Sequence, residues 1–218
     1  MKQIISKSLQ DMLSKEVILF VLKIGFISFI VTLFLTWSMW GTLTTLISAY
    51  LSWVPWEWLQ TSGASVVTFS VAYMFFIIIV ALMTSLYSEK LLIALAKKRY
   101  TDVPVVGSAD ITTSILLTLK ASVIFLLLFI VTLPLLFIPI FGQVVILYLW
   151  SVLLKEPTIY DVGALFIDDK KVLKEKRKKT RVLAMIAALF NYVPLVNIFA
   201  PVFAQILFLH HILKKEEQ

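Results

Sequence analysis

Long apolar runs alternate with short polar or basic segments along this chain, and the runs predict its helices. Two of them, 17–40 and 66–99, contain no proline and exceed the roughly 20 residues that a helix needs to cross a bilayer. A helix over 66–99 would measure about 50 Å, which is longer than a hydrocarbon core of about 30 Å. We therefore expect two long spanning helices, the second of which projects from the membrane at its charged end.

Two further apolar runs, 111–154 and 182–213, are each interrupted by prolines. Basic residues flank the second run on both sides, which favours the same side of the membrane for both of its ends. Its 32 residues are too few for two full crossings and a turn, so it predicts a helical hairpin that enters the bilayer partway and returns. The first run is long enough for either two full spans or two partial ones.

The remaining segments are charged, and their charges predict the orientation. Segment 1–16 places apolar residues on one face, as in an amphipathic helix at the membrane interface. Segment 155–181 carries nine Lys or Arg against five acids and predicts a basic cytoplasmic segment. Because no Lys or Arg occurs between Lys23 and Lys90, the middle of that interval should lie outside and the N-terminus in the cytoplasm.

Five tryptophans are concentrated within or close to 41–60, between the two predicted spanning helices. Tryptophan is enriched where the headgroups meet the hydrocarbon, so this density predicts a short helix lying along or dipping into the outer interface. The five are Trp37, Trp40, Trp53, Trp56 and Trp58.

Composition agrees with a single all-α integral membrane domain over residues 1–218. The chain is 60% hydrophobic, and its net charge of +7 comes mostly from short loops, so the charge reflects topology and predicts no nucleic-acid partner. The absence of cysteine excludes disulfides and thiolate metal sites. No catalytic or phosphate-binding motif is present, so we expect no enzyme activity, no cofactor and no metal site. For His210 and His211 we expect solvation at the interface.

The two proline-interrupted runs share a short pattern. Pro139-Ile-Phe-Gly-Gln143 corresponds to Pro201-Val-Phe-Ala-Gln205, each with a proline ahead of a helix that carries one glutamine. Paired interrupted segments of this kind are typical of transporter sites. Since a glutamine is costly against lipid, we expect Gln143 and Gln205 to face the protein interior, either in hydrogen bonds between helices or in contact with a solute.

Three other polar residues are candidates for solute contact, each with a simpler alternative. Asn191 and Asn197 flank the predicted turn of the last hairpin and either cap helix ends or line a pathway. Lys15 opens the first spanning helix and is either an ordinary interfacial lysine or an anion contact. Lys23, inside that helix, either extends its side chain back to the headgroups or contacts an anion.

These residues resemble a known family, the CysZ-type sulfate permeases and the wider etoposide-induced-protein-like membrane proteins. The resemblance covers roughly residues 15–213, and its most specific part is the segment 193–204, which reads Val-Pro-Leu-Val-Asn-Ile-Phe-Ala-Pro-Val-Phe-Ala. It implies two long spanning helices plus two pairs of partly penetrating, proline-interrupted helical hairpins in the bacterial inner membrane. It also implies a homo-oligomer that admits sulfate for cysteine synthesis.

One motif of the sulfate permeases differs here. In those proteins a glycine and a basic pair, usually arginines, open the first membrane helix and are linked to sulfate binding. The matching stretch is Leu13-Ser14-Lys15-Glu16-Val17, with one lysine and one acid. Lysine lacks the two-pronged hydrogen bonding of guanidinium, and Glu16 would repel a dianion.

The sequence therefore leads to two hypotheses from different classes. The first is a CysZ-like permease or channel for a small anion, with sulfate as a candidate and no ATPase of its own, in which Lys15, Asn197, Gln143 and Gln205 contact the solute. The second is a structural or accessory inner-membrane protein that transports nothing. Both leave the lipid bilayer as the immediate partner.

Overall fold

The computed structural model describes residues 2–50, 52, 57–100, 103–132, 135, 138–177, 180–193 and 195–214. All regular secondary structure in these ranges is helical. The α-helices are α1 (Lys2–Met12), α2 (Lys15–Tyr50), α3 (Glu57–Tyr87), α4 (Glu89–Arg99), α5 (Ile111–Thr132), α6 (Phe141–Phe166), α7 (Lys170–Lys176), α8 (Thr180–Ala188) and α9 (Ala200–Leu213).

Four segments of the described chain are long and apolar enough to cross a membrane. They are Lys15–Ala49, Ser62–Tyr87, Ile111–Thr132 and Val196–Leu213. Only 33%, 28% and 22% of the apolar windows in the first three are buried inside the folded chain, and their exposed large side chains are mostly Leu, Ile, Val and Phe, which suit contact with lipid. The predicted class, an all-α membrane protein, is confirmed at this level.

Helix α2 runs further than the sequence predicts. It continues through Gly41 to Tyr50, ten residues past the predicted end at position 40, so residues 41–50 form no separate interfacial helix. A single glycine costs a helix only about 1 kcal/mol, and Thr45 Oγ1 donates to the Gly41 carbonyl over 2.8 Å inside the continuing helix. Trp53 and Trp56 lie outside the described residues.

The second predicted spanning helix is divided at Ser88 and begins earlier than expected. Helix α3 starts at Glu57, and α4 follows after a single residue. The backbone hydrogen bonds continue across this position, because Ser88 N donates to the Thr84 carbonyl (3.0 Å) and Leu92 N to the Ser88 carbonyl (2.9 Å). The two helices therefore form one nearly continuous rod.

Helix α6 extends twelve residues beyond the predicted end of its hairpin at position 154. It passes through Pro157, which is buried inside the helix, and ends at Phe166. A proline inside a helix removes one backbone hydrogen bond, but neighbouring packing can maintain the helix there. The predicted basic segment 155–181 is therefore not a separate unit: its first part belongs to α6.

The chain reverses direction between α8 and α9, which pack against each other. Two short 3₁₀ turns, Leu189–Tyr192 and Val196–Phe199, form the connection, with Leu195 between them at a positive φ of 69°. Pro201 lies in the first turn of α9, where the missing amide hydrogen leaves no helix hydrogen bond unmade.

Helix α9 forms the centre of the molecule. Every residue from Ala200 to His210 is buried. The helix contacts α1, α6 and α8 most extensively, with α3 and α4 also in contact. Because α9 is surrounded by elements from the whole chain, its two buried polar side chains, Gln205 and His210, must find their partners within the protein.

Candidate functional site

A buried carboxylate, Asp161, joins four helices at the end of the bundle where α6 terminates. Ser85 Oγ on α3 donates to Asp161 Oδ2 over 2.5 Å, and Ser114 Oγ on α5 donates to Oδ1 over 2.9 Å. Gln205 Nε2 on α9 donates to Oδ2 over 3.2 Å. We call these four residues the Asp161 cluster. All its donors are neutral, although Asp161 is only 2% exposed.

A polar cleft of about 320 Å³ opens beside this cluster. Asp161, Ser85 and Ser114 line it together with Ser88, whose hydroxyl is buried, and Glu89. The connection between α4 and α5 supplies Ser108 and Ala109 to its wall. Hydroxyl and carboxylate oxygens therefore dominate the polar surface of the cleft.

The loop over the cleft is fixed to the end of α6 by close backbone contacts. Val106 N donates to the Leu165 carbonyl over 2.9 Å, and Asp110 N donates to the Tyr160 hydroxyl over 3.1 Å. A Cβ atom on Gly107 would lie 2.8 Å from the Ala164 carbonyl oxygen, so glycine is required for this approach. The wall of the cleft is therefore held in place.

The environment of Asp161 disfavours its charged form. Asp161 lies on α6, which is not one of the four segments that are long and apolar enough to cross a membrane. Burial raises the pKa of Asp161 from its ordinary value of 3.8 to about 6, although the hydrogen bonds from Ser85, Ser114 and Gln205 act in the opposite direction. A buried negative charge with no cationic partner is costly, because neutral donors stabilise it less than an ion pair does.

A second buried carboxylate, Asp11 on α1, has charged partners. The Arg99 guanidinium donates to Asp11 Oδ1 through Nε (2.8 Å) and a terminal nitrogen (2.6 Å). His210 Nε2 lies 2.9 Å from Asp11 Oδ2, and His210 Nδ1 lies 2.8 Å from the Tyr100 hydroxyl. We call these four residues the Asp11 cluster. A neutral His210 that donates from Nε2 and accepts at Nδ1 satisfies both contacts.

The partners of Asp11 reverse the effect of its burial. Burial alone would raise its pKa, but the hydrogen bonds from His210 and Arg99 outweigh it, so the pKa of Asp11 lies below the ordinary 3.8. The pKa of Arg99 is raised by the same contact. The cluster connects α1, the end of α4 and the end of α9.

Two clefts with basic walls lie near the same end. One, of about 420 Å³, is lined by Lys2, Lys7 and Arg99 with three uncharged polar residues. The other, of about 700 Å³, is lined by Lys23, Lys90 and Glu89 among apolar side chains. Lysine and arginine side chains at an open cleft attract anions from solution. The second cleft shares Leu86 and Glu89 with the cleft beside Asp161.

The two glutamines singled out from the sequence occupy different environments. Gln205 is 2% exposed and faces the interior, as expected, with its amide nitrogen on Asp161. Gln143 is exposed on the first turn of α6, so the expectation that it faces the interior of the chain is wrong. Its backbone carbonyl, not its side chain, accepts the Tyr192 hydroxyl.

The other residues predicted to contact a solute, Asn197, Asn191 and Lys15, lie in three different parts of the structure. Asn197 is buried, and its Nδ2 donates to the Tyr73 hydroxyl over 2.8 Å. Asn191 is half-buried in the first 3₁₀ turn. Lys15 is exposed at the first residue of α2, and its neighbour Glu16 pairs with Lys98 over 3.6 Å.

Interfacial solvation of His210 is a wrong expectation, because the ring is 1% exposed and hydrogen-bonded on both sides. His211 is half-buried, with Nε2 3.2 Å from the Lys176 carbonyl oxygen. The acid that His210 meets is Asp11, 199 residues away. Sequence proximity pointed instead to the acids that follow the histidines.

Sequence reasoning also missed Asp161, although one signal was available. It is the only acid between Glu156 and Asp168, inside an otherwise mostly apolar stretch. An isolated acid at such a position must be paired or solvated. The prediction of a basic cytoplasmic segment over 155–181 instead treats Asp161 as one of several charges in that segment.

Comparison with known proteins supplies the family. The sequence profile of the family described as sulfate transporter CysZ/etoposide-induced protein 2.4 matches residues 4–201. No curated protein and no solved structure matches the chain. The matched region contains both buried carboxylates, α1 from residue 4 onward and all of α2 to α8, and it ends within the first turn of α9. The resemblance found in the sequence is therefore confirmed, and the chain belongs to the sulfate transporter CysZ/etoposide-induced protein 2.4 family.

Proposed function

We propose that this protein is a multi-pass membrane permease or channel for a small anion, with sulfate as the first candidate. It is not an enzyme and has no ATPase of its own. The family match over residues 4–201 is the observation that carries the proposal. The basic clefts near Lys2 and Lys23 support it, because they would concentrate anions at one end of the bundle.

The membrane arrangement that we propose has two long spanning helices and two hairpins that enter only partway. Helix α2 spans with α3, and α4 extends α3 into the cytoplasm. The length of α8 supports partial penetration of the last hairpin: nine residues measure about 14 Å against a core of about 30 Å, whereas Val196–Leu213 is long enough to cross. The lack of Lys or Arg between Lys23 and Lys90 supports a cytoplasmic N-terminus in a bacterial inner membrane.

Among the proposed solute contacts, Lys15 has the clearest role. Its exposed ammonium at the start of α2 would meet the anion first, as a point charge. Asn197 would line the passage further along, near Tyr73. Gln205 is the weakest candidate, because Asp161 already accepts from its amide nitrogen and would repel an anion nearby.

Gln143 supports a homo-oligomer. Its exposed side chain lies between Phe141 and Val144, which are 53% and 54% exposed. A polar side chain in an apolar surface is costly against lipid but can hydrogen-bond across an interface between copies. We propose that α6 of a second copy covers this position and that the anion passes within the oligomer.

Uptake of radiolabelled sulfate into liposomes containing the pure protein tests the proposal. We expect uptake above that of empty liposomes, and a decrease of roughly threefold for Lys15→Gln, the effect of one exposed charge contact worth about 0.6 kcal/mol. Lys171→Gln, which removes an exposed lysine on α7, is the matched control and should not change uptake.

Uptake equal to that of empty liposomes for sulfate, phosphate and chloride would reject the transport function. An intact oligomer under those conditions would favour the alternative, a structural or accessory membrane protein. In that case Gln143→Leu would alter assembly in detergent without any flux to change.

A further inference from the structure

We propose that the polar cleft beside Asp161 binds a monovalent cation of about the size of sodium. This site is separate from the basic clefts assigned to the anion, and its existence does not depend on which solute the protein transports. Its ligands would be the Asp161 carboxylate and the hydroxyls of Ser85, Ser114 and Ser88, with the amide oxygen of Gln205 as a fifth group.

The oxygen atoms around Asp161 lie somewhat closer together than the oxygens of a coordination shell. Ser85 Oγ and Ser114 Oγ lie 2.5 and 2.9 Å from the carboxylate oxygens. Oxygens that share an ion with bonds of about 2.4 Å lie roughly 3.4 Å apart in an octahedral shell, so small outward shifts suffice. Because a hydroxyl can rotate its hydrogen away, both serines can turn a lone pair toward an ion.

Two buried acceptors beside the cluster have no hydrogen-bond partner in the described part of the chain. They are Ser88 Oγ, which lines the cleft, and Gln205 Oε1, whose amide nitrogen contacts Asp161. Both residues are at most 2% exposed. Buried polar atoms are normally paired, and an unpaired acceptor next to a carboxylate fits a positively charged ligand and disfavours an anion.

The charge of the cleft selects a monovalent ion. Asp161 and Glu89 are the ionisable residues among the described side chains that line it, and neither Lys nor Arg is among them. One buried carboxylate neutralises a single positive charge, whereas calcium sites generally use several carboxylates. A monovalent cation therefore removes the cost of burying the Asp161 charge without leaving a net charge inside the bundle.

Glu89 is the second carboxylate of the cleft. It lines this cleft and the larger one beside Lys23, so the two are neighbours. Asp110 at the start of α5 is exposed, caps Thr113 N over 2.7 Å and is not among the described residues that line the cleft. The carboxylate of Glu89 attracts cations toward the Asp161 cluster.

Binding of radiolabelled sodium to the purified full-length protein in detergent, at constant pH and in choline buffer, tests the inference. We expect saturable binding that unlabelled sodium displaces and that equal concentrations of potassium or choline do not. Asp161→Asn should abolish it. The matched control is Asp110→Asn, a nearby exposed carboxylate, which should retain the affinity of the unmodified protein.

Ser114→Ala is the second variant and decides the outcome if Asp161→Asn fails to fold. Loss of one ligand should weaken sodium binding about tenfold, which corresponds to about 1.4 kcal/mol. The inference is overturned by no saturable binding in the unmodified protein, by equal displacement with potassium, or by unchanged affinity in folded Ser114→Ala. Sulfate uptake in liposomes is a separate measurement, so failure of either proposal is recognisable on its own.

Discussion

The two buried aspartates of this protein differ in the charge of their partners. Asp11 meets a guanidinium and an imidazole, and its pKa is lowered. Asp161 meets two hydroxyls and an amide, and its pKa is raised to about 6. Both carboxylates are 2–3% exposed, so the contrast comes from the partners and not from the degree of burial.

The contrast separates a structural carboxylate from one that is suited to a ligand. The protein itself supplies the countercharge of Asp11, which fixes α1 and α4 on α9. For Asp161, the described residues supply hydrogen bonds but no countercharge, so a proton or a cation must provide it. The following changes test this distinction, starting with the largest expected effect.

Replacing Arg99 with Met should destabilise the protein most. It keeps an unbranched stem that can pack like the aliphatic part of arginine, but it removes two short hydrogen bonds and the charge that opposes Asp11. Breaking a buried ion pair costs about 3–5 kcal/mol, and because Arg99 is 33% exposed we expect about 2–3 kcal/mol. The apparent melting temperature in detergent should fall by roughly 5–10 °C.

Lys98→Met is the control for that change. It removes the ion pair between Lys98 and Glu16, whose side chains are 58% and 63% exposed. The free energy of unfolding should therefore change by less than about 0.5 kcal/mol. Equal effects of the two substitutions would mean that Asp11 draws no special stability from Arg99.

The stability of the protein should depend on the protonation of Asp161 between about pH 4 and pH 7. Because the pKa of Asp161 is raised in the folded state, the protonated carboxyl contributes fully to the free energy of unfolding below about pH 3.8. That contribution is lost as the pH rises through about 6. Asp161→Asn mimics the protonated acid and does not titrate. In choline buffer its free energy of unfolding, relative to that of the unmodified protein, should therefore increase by on the order of 2 kcal/mol from pH 4.5 to pH 7.5.

Asp110→Asn provides the comparison for this pH series. The pKa of Asp110 is lowered by its hydrogen bonds to Thr113, so it stays ionised throughout that interval. Melting temperatures of this variant should therefore run parallel to those of the unmodified protein. A constant offset between Asp161→Asn and the unmodified protein would show that Asp161 does not titrate there. The pKa of Asp11 is lowered in the folded state, so its ionised carboxylate stabilises the fold above about pH 3.8. This stabilisation is lost only at lower pH.

Replacing either glutamine with leucine should change the stability less than the changes above, and the two replacements should differ from each other. Gln205→Leu removes a buried donor to Asp161 and should cost about 1 kcal/mol. Gln143→Leu replaces an exposed side chain and should leave the stability of the separated chain within about 0.5 kcal/mol. Thermal melts of monomer and oligomer fractions would measure both. A larger loss for Gln143→Leu in the monomer would contradict its exposed position.

The sequence predicts the helical class well because apolar runs in lipid can only be helices. Features that depend on one local residue follow general rules: a proline is accepted in the first turn of a helix, as Pro201 is in α9, and an aspartate is a common N-cap, as Asp110 is for α5. The sequence predicts the ends of the helices less accurately. Gly41 and Pro157 suggest interruptions, yet both lie inside helices. Local propensity is weak enough there for packing to override it.

The buried clusters were not predictable for a different reason. Asp11 and His210 are 199 residues apart, and Ser85 and Asp161 are 76 apart. Hydrophobic periodicity identifies which face of a helix is apolar, but it does not tell which helices meet. The cost of a glutamine against lipid predicts the interior position of Gln205, but the same rule gives the wrong position for Gln143. The partner of Gln205, Asp161, depends on the packing of α6 against α9.

The contact between Asp11 and His210 also constrains how the protein is made. The Asp11 carboxylate on α1 is synthesised 199 residues before the imidazole that it contacts in the folded protein. During translation α1 is therefore present at the membrane before the helix against which it packs. A chain whose synthesis stops before α9 would leave Asp11 with Arg99 as a partner but without the imidazole.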